Sequence, residues 1–284
     1  MSEKETADLL ATLAAIAQLV RARRPVVHQI TNYVSATDCA NITLAAGGVP
    51  IMADELLEMA ELIPHVDALV LNMGVFHADR KRTVAFAAKI AAAHKKPIVL
   101  DPAGAGTSRL RRSVISLLLE NDALRVVRGN VSETEALLKE KVALCDVRAN
   151  DMNLYARTAA EKLAGRIGRT VAVTGGRNYF SDGQRGLEIG NGHALLNSII
   201  GTGCMASSLT GACLAVEKDP LLAAAAAGLM LGVAAEKAAE AAAGPGSFHA
   251  ALFDAVAALT KEDYLARGRV RLWGNWIGED IANS

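Results

Sequence analysis

The run Gly201-Thr202-Gly203-Cys204 stands immediately before an alanine-rich, helix-forming stretch. Glycines in such a place let the backbone aim successive N–H groups at one point. Amides at a helix start lack partners and the helix dipole adds about half a positive charge, so phosphate is stabilised there without a lysine. A glycine-rich turn also opens many ordinary helices, so the motif takes its meaning from its companions. Asp101 begins Asp-Pro-Ala-Gly-Ala-Gly-Thr, and Glu133 closes Arg128-Gly-Asn-Val-Ser-Glu. Two acids on adjacent loops suit a hydrated Mg²⁺, which takes one or two carboxylates and fills its octahedron with water and phosphate oxygens. Alone, Asp-Pro starts turns and Ser132-Glu133 starts helices. Together with Arg128 and the glycine turn they make a phosphate-handling set. Cys204 adds a group that can take a proton: a thiol titrates near 8.5, and a helix N-terminus lowers that value.

Two familiar nucleotide motifs are absent. No G-x-x-x-x-G-K-[ST] occurs, so any triphosphate is held without a P-loop. Residues 201–206 do fit G-x-G-x-x-A, but a dinucleotide fingerprint opens a βαβ unit, and here helix follows helix. Nearer the N-terminus, His28-Gln-Ile-Thr-Asn32-Tyr is polar and reads as a loop, with Asn32 equally suited to a turn. Met52 closes the run Val-Pro-Ile-Met and equally suits a core.

The elements that must position these groups follow from apolar rhythm. Leu9, Leu13, Ile16 and Val20 recur at helical spacing, which predicts a helix over 7–22. Short apolar runs then appear at 49–52, 68–71, 97–100, 125–127 and 170–173, separated mostly by helical stretches such as 79–94, 109–121, 132–141 and 151–167. That alternation predicts βαβ units and a mainly parallel sheet, and the continuous hydrophobicity of the runs predicts strands covered on both faces. Polar loops begin where the strands stop: Asn72 with Gly74, Asp101-Pro102, Arg128-Gly129-Asn130 and Thr174-Gly175-Gly176. Ligands of open α/β sheets bind outside the carboxyl ends of the strands, so these loops should share one crevice. Residues 179–185 carry an Asp-Gly turn and read as a hairpin at the sheet edge. After Gly201 the chain reads as almost all helical, over about 204–217, 221–243 and 249–260. No repeat, linker or compositional break divides residues 1–284, which read as one domain.

Composition narrows the function. The 284 residues are 51% hydrophobic and 21% charged, with 30 basic against 30 acidic side chains. Balanced charge offers no general attraction to phosphate backbones or anionic lipid, so neither nucleic acid nor membrane is expected as a partner. Leu221–Ala235 is uncharged but too short to span a bilayer, which needs about 20 residues. Cysteines at 39, 145, 204 and 213 show no zinc spacing, and reduced thiols in the cytoplasm are expected. The acidic N-terminus lacks the marks of a signal peptide.

Taken in order, His28-Gln-Ile-Thr-Asn32, Pro50-Ile-Met52-Ala, Asp101-Pro-Ala-Gly-Ala-Gly, Arg128-Gly-Asn-Val-Ser-Glu133, Val173-Thr174-Gly, Gly201-Thr-Gly-Cys204 and Gly244-Pro-Gly-Ser-Phe248 resemble the hydroxyethylthiazole kinase family over residues 25–260. The resemblance implies a ribokinase-like three-layer α/β fold, with a mainly parallel central sheet flanked by helices. It implies ATP-dependent phosphorylation of the primary hydroxyl of 4-methyl-5-(2-hydroxyethyl)thiazole in thiamine salvage, with ATP and Mg²⁺ as cofactors. By position, Met52 and Gly201 contact the thiazole, Asn32 lies by the substrate, Arg128 and Thr174 contact ATP, and Asp101 and Glu133 lie near Mg²⁺. Gly201, Gly203 and Cys204 carry the transfer itself. A homotrimer with substrate sites between subunits is also implied. Two departures from the family pattern stand at Gln29, where cysteine is commoner, and at Gly175-Gly176-Arg177-Asn178, where acids are commoner. The alternatives are a ribokinase-like kinase of another small alcohol, such as hydroxymethylpyrimidine, a pyridoxal-like ring or a sugar, and a non-catalytic sensor of thiazole or nucleotide.

Overall fold

Alternate residues along the central strands belong to two separate cores. A computed structural model describes residues 3–75, 77–139 and 153–276. Its sheet, nine-stranded among the described residues, runs in the order β2 (Val49–Ile51), β1 (Val26–Ile30), β3 (Ala68–Asn72), β4 (Ile98–Asp101), β5 (Leu124–Asn130), β6 (Thr170–Thr174), β7 (Asn178–Ser181), β8 (Arg185–Ile189) and β9 (Val270–Gly274). The first six are parallel and the last three antiparallel.

Side chains alternate across a strand. Val27, Val70, Val99, Val126 and Ala172 therefore face one layer, made by α1 (Glu3–Arg23), α2 (Ala36–Ala45), α8 (Thr202–Leu214), α9 (Pro220–Ala241) and α10 (Pro245–Ala258). Leu69, Leu71, Ile98, Leu100, Val127 and Val171 face the other, made by α3 (Met59–Leu62), α4 (Ala78–Ala93), α5 (Arg109–Leu119), α6 (Val131–Lys139) and α7 (Asn153–Ile167). Each fully buried Leu, Ile or Val contributes about 1.5–3 kcal/mol, and here both strand faces contribute. This is the expected three-layer arrangement. One helix, α9, is long and apolar enough to cross a membrane, but 83% of its most apolar window is buried inside the protein, as for a core helix.

Three expectations need correction. Residues 28–30, read as a polar loop, form most of β1, between β2 and β3. Their polar groups find partners inside: Gln29 Nε2 donates to Thr43 Oγ1 at 2.8 Å, its Oε1 accepts from Ser208 Oγ at 2.6 Å, and His28 Nε2 lies 2.7 Å from the Ala53 carbonyl. The hairpin of β7 and β8 forms around Asp182-Gly183 as predicted, but it is not the edge, because β9 pairs with β8. Only glycine at 186 leaves room for the Trp273 ring, since a Cβ there would come within 1.9 Å of it. In the almost wholly helical C-terminal region, α11 (Lys261–Arg267) leads into β9. The helix expected from 249 also starts earlier, at Pro245, with Gly244 preceding it. Cys145, and parts of the helices expected at 132–141 and 151–167, lie outside the described residues. Cys39, Cys204 and Cys213 are free thiols.

Candidate active site

Six parallel strands end on one edge, and α8 arrives above it. Two glycines let that helix approach. Gly201 precedes its first turn at φ +88° and ψ −2°, a left-handed conformation that costs an L side chain about 1–2 kcal/mol. A Cβ there would also stand 2.8 Å from Ser35 Cβ. Deeper in the helix, a Cβ at Gly211 would stand 2.6 Å from Val70 Cγ2, so glycine allows α8 to lie directly on β3. The helix start thus meets the strand tips where Asn72 and Asp101 are register partners.

The phosphate-handling groups meet in this crevice. Arg128, 8% exposed, donates from Nη2 to Thr174 Oγ1 and holds Nη1 3.7 Å from Asp101 Oδ2. Its Nη1 would be 2.8 Å from a Cβ on Gly203, so the guanidinium lies against the first turn of α8. Its Nε is buried and unpartnered, a donor left over where charge-assisted bonds to phosphate are strongest. Asp101 Oδ2 accepts from Ser207 Oγ at 2.8 Å. Burial pushes the Asp101 carboxyl up to about 7, against the pull of Arg128 and with the charge of Glu133 adding to the rise.

Glu133 combines two roles. Its Oε2 accepts from the Asn130 amide at 2.8 Å while Asn130 Oδ1 accepts from the Glu133 amide at 2.9 Å, a reciprocal cap on α6. Its Oε1 accepts from the Gly104 amide at 3.1 Å, tying that cap to the Asp101 loop. Among the described residues, no group of three or more His, Cys, Asp or Glu side chains converges as a metal cage. Two carboxylates whose oxygens are only partly engaged suit a hydrated Mg²⁺ shared with phosphate oxygens, and do not suit a closed structural site.

Cys204 receives two side-chain amides in the crevice. Its Sγ accepts from Asn32 Nδ2 at 3.1 Å and from Asn72 Nδ2 at 3.4 Å. The Cys39 thiol beside it does most to lower Cys204; burial opposes this, while Ser35, Asn32 and the charge of Arg128 assist, bringing the thiol down to about 5. Cys39 moves the other way, pushed far up by the same contact and by burial. Of the two sulfurs, Cys204 is therefore the one biased toward the anion.

Asn32, Asp101, Arg128, Thr174, Gly203 and Cys204 are brought together; Glu133 joins through Gly104, and Gly201 sits against Ser35. Met52 follows the end of β2, half-buried, with no hydrogen bond linking it to the rest. The two departures lie differently. Gln29 is spent inside the core, as described above. Arg177 forms an ion pair with Glu188 across the hairpin, and Asn178 Oδ1 accepts from the Gly175 amide at 3.3 Å. Sequence reasoning assigned no role to Ser35, Cys39, Arg111 or Ser207, and placed Asn72 at the crevice only through its loop. Ser207 had a signal, since it lies one turn beyond Cys204 on the same helix face. Arg111 had none: its guanidinium gathers the carbonyls of Met73 at 2.5 Å, Ala103 at 2.9 Å and Gly74 at 2.9 Å, fixing the loops after β3 and β4.

The chain is similar to known proteins over most of its length. The profile of the hydroxyethylthiazole kinase family matches residues 17–262. A hydroxyethylthiazole kinase of Roseiflexus sp. (strain RS-1) is 44% identical over 251 residues, covering 88% of this chain and 93% of that protein. The solved structure of a hydroxyethylthiazole kinase protein from Pyrococcus horikoshii OT3 superposes with a TM-score of 0.86 at 39% identity, covering 92% of this chain and 98% of that one. At 13% identity, an ADP/ATP-dependent NAD(P)H-hydrate dehydratase from Bacillus subtilis shares the fold alone, with a TM-score of 0.57 over 83% of this chain and 90% of that one.

Proposed function

The chain belongs to the hydroxyethylthiazole kinase family, and from that premise we propose how its crevice transfers the γ-phosphoryl group of ATP to the primary hydroxyl of 4-methyl-5-(2-hydroxyethyl)thiazole. The enzyme is a phosphotransferase acting on an alcohol, and the reaction is a salvage step toward thiamine. The observation that carries the site reading is the position of Arg128, lying against Gly203 at the start of α8 and 3.7 Å from Asp101. Amides and a guanidinium that converge on one point, without a P-loop lysine, suit the terminal phosphate of a nucleotide.

In this reading the hydroxyl approaches the γ-phosphorus in line. The Gly201–Cys204 amides and Arg128 stabilise charge on the transferred group, and Cys204 accepts the hydroxyl proton. Such transition states are loose, so positioning and fixed electrostatics carry most of the rate. Thr174 orients Arg128 on the nucleotide side; Asn32, Met52 and Gly201 frame the thiazole. Asp101 and Glu133 would hold a hydrated Mg²⁺, which when bound supplies positive charge to the phosphates. The chain works as one domain in the cytoplasm. A homotrimer with substrate sites between subunits is supported by exposed apolar side chains beside the acceptor end: Val34 and Ile200, 60% and 70% exposed, flank Ser35 and Gly201, which touch each other.

The test is ADP release on mixing protein, Mg-ATP and the thiazole alcohol, read by a coupled assay. Turnover with this alcohol that exceeds turnover with hydroxymethylpyrimidine, pyridoxal and sugars is expected. Preference for another alcohol would reassign the substrate, and binding of both ligands without ADP release would make the protein a sensor. Light scattering at three times 29.7 kDa checks the trimer.

A further inference from the structure

Asn72 does more than end β3. Its Oδ1 accepts from the Gly74 amide at 2.8 Å and from Asn32 Nδ2 at 3.3 Å, so the side chain cannot be flipped without setting donor against donor. Its NH₂ group therefore points at Cys204 Sγ. Asn32 is fixed in the same sense: its Oδ1 accepts from both the amide and the hydroxyl of Ser35, each at 3.1 Å, which leaves its own NH₂ for Sγ. Two carboxamides of locked orientation thus converge on one sulfur. Both are buried, Asn72 to 1% exposure. The space where they meet exists because residue 74 is glycine: a Cβ there would stand 2.9 Å from Asn72 Oδ1 and 3.0 Å from Asn32 Nδ2. Arg111, bonded to the carbonyls of Met73 and Gly74, keeps that loop in place.

We propose that Asn72 is a positioning residue for phosphoryl transfer: with Asn32 it forms a two-amide cradle that holds Cys204 Sγ as a thiolate, ready to take the proton of the acceptor hydroxyl. A neutral thiol is a weak acceptor, whereas a thiolate receives several N–H donors well, so the donor count favours the anion. The other groups facing the sulfur are the Cys39 thiol, the Ser35 hydroxyl and the Arg128 guanidinium, which also favour the anion, and the buried Asp101 carboxyl, which opposes it. In the transfer, the hydroxyl proton passes to Sγ, the alcohol oxygen bonds to the γ-phosphorus, the bond from that phosphorus to the β,γ-bridging oxygen breaks, and its electron pair leaves on ADP. The proposal rests on the kinase reading above for this step, but the cradle itself is read without substrate.

Asn72→Asp is the informative variant. It keeps the acceptor that Gly74 and Asn32 use, removes only the donor to sulfur, and adds like charge. Asn72→Ala and Gly74→Ala perturb the same cradle by deletion and by crowding, with folding followed by circular dichroism. In the apo protein, alkylation by iodoacetamide at a fixed pH just below 5, where the thiolate fraction follows the thiol's acidity, reads the thiolate, with the Cys204 peptide quantified by mass spectrometry apart from the other cysteines. Asn72→Asp should slow Cys204 alkylation by about tenfold or more and lower kcat to a similar extent, with KM for ATP and alcohol within about twofold. Wild-type turnover together with Asn72→Asp alkylated at the wild-type rate overturns the cradle and leaves the kinase reading intact. A wild-type protein that releases no ADP, while Asn72→Asp still slows alkylation, overturns the kinase reading and supports the cradle.

Discussion

Gly203→Ala separates the anion turn from the fold. A methyl at this position would stand 2.8 Å from Arg128 Nη1, 3.4 Å from Nη2 and 3.6 Å from Cζ. Ordinary contact begins near 3.4 Å, so the guanidinium must retreat by roughly 0.6 Å. It has little freedom to do so, being bonded to the Thr174 hydroxyl and held 3.7 Å from Asp101. Retreat weakens one charge-assisted hydrogen bond, worth about 1.5–3 kcal/mol, which corresponds to a loss of about ten- to a hundredfold in kcat/KM for ATP. Stability should not fall, because alanine is favoured over glycine in a helix by up to about 1 kcal/mol and the displaced atoms belong to a side-chain end. The assay is coupled ADP release with ATP varied at saturating alcohol, beside a thermal melt. In an Arg128→Ala background the three nearest contacts of the methyl are gone, so the second substitution should cost little; Arg128→Ala itself should raise KM for ATP more than for the alcohol. Wild-type ATP kinetics for Gly203→Ala, or an equal loss in both backgrounds, would refute the reasoning.

Other positions give sharp outcomes. Cys204→Ala should lower kcat by about a hundredfold or more yet leave measurable turnover, since the helix amides and Arg128 remain; complete loss in a folded variant would give sulfur a larger role than proton acceptance. Gly201→Ala should cost about 2–3 kcal/mol in urea unfolding, from left-handed strain plus the 2.8 Å approach to Ser35 Cβ; an unchanged midpoint would contradict this. Asp101→Asn should reduce turnover while stabilising the protein. The folded carboxyl titrates at about 7 against 3.8 for the free group, so the fold prefers the neutral form. Wild-type stability is therefore fully present below about pH 4 and is lost as pH rises through about 7, by at most about 4 kcal/mol. Melts from pH 5 to 8.5 should show the advantage of Asp101→Asn growing with pH up to about 7 and level above it; an advantage that shrinks would reverse the sign of the argument.

Much of this protein is legible in one dimension. The βαβ alternation, the hairpin at Asp182-Gly183 and the glycine turn before α8 are local patterns of period, turn chemistry and helix start, so residues within a short window specify them. The polar tips at Asp101, Arg128 and Thr174 were found because every parallel strand ends on the same edge, which makes a sequence position into a spatial one. β1 was missed for the opposite reason: His28 and Gln29 look solvated until Ala53, Thr43 and Ser208 are seen to satisfy them. β9 was missed because its place depends on Trp273 lying over Gly186, 87 residues earlier in the chain. The environment of Cys204 is the clearest case. Its donors Asn72 and Asn32 are 132 and 172 residues away; the rule of strand ends placed the Asn72 loop at the crevice, but nothing near any of the three predicts that both carboxamides meet the sulfur. The sequence by itself determined most of the elements and the kind of chemistry, because propensity and periodicity act between neighbours; the bias of the sulfur toward the anion was decided only by the tertiary structure, because burial and hydrogen bonding act between whatever groups packing brings together.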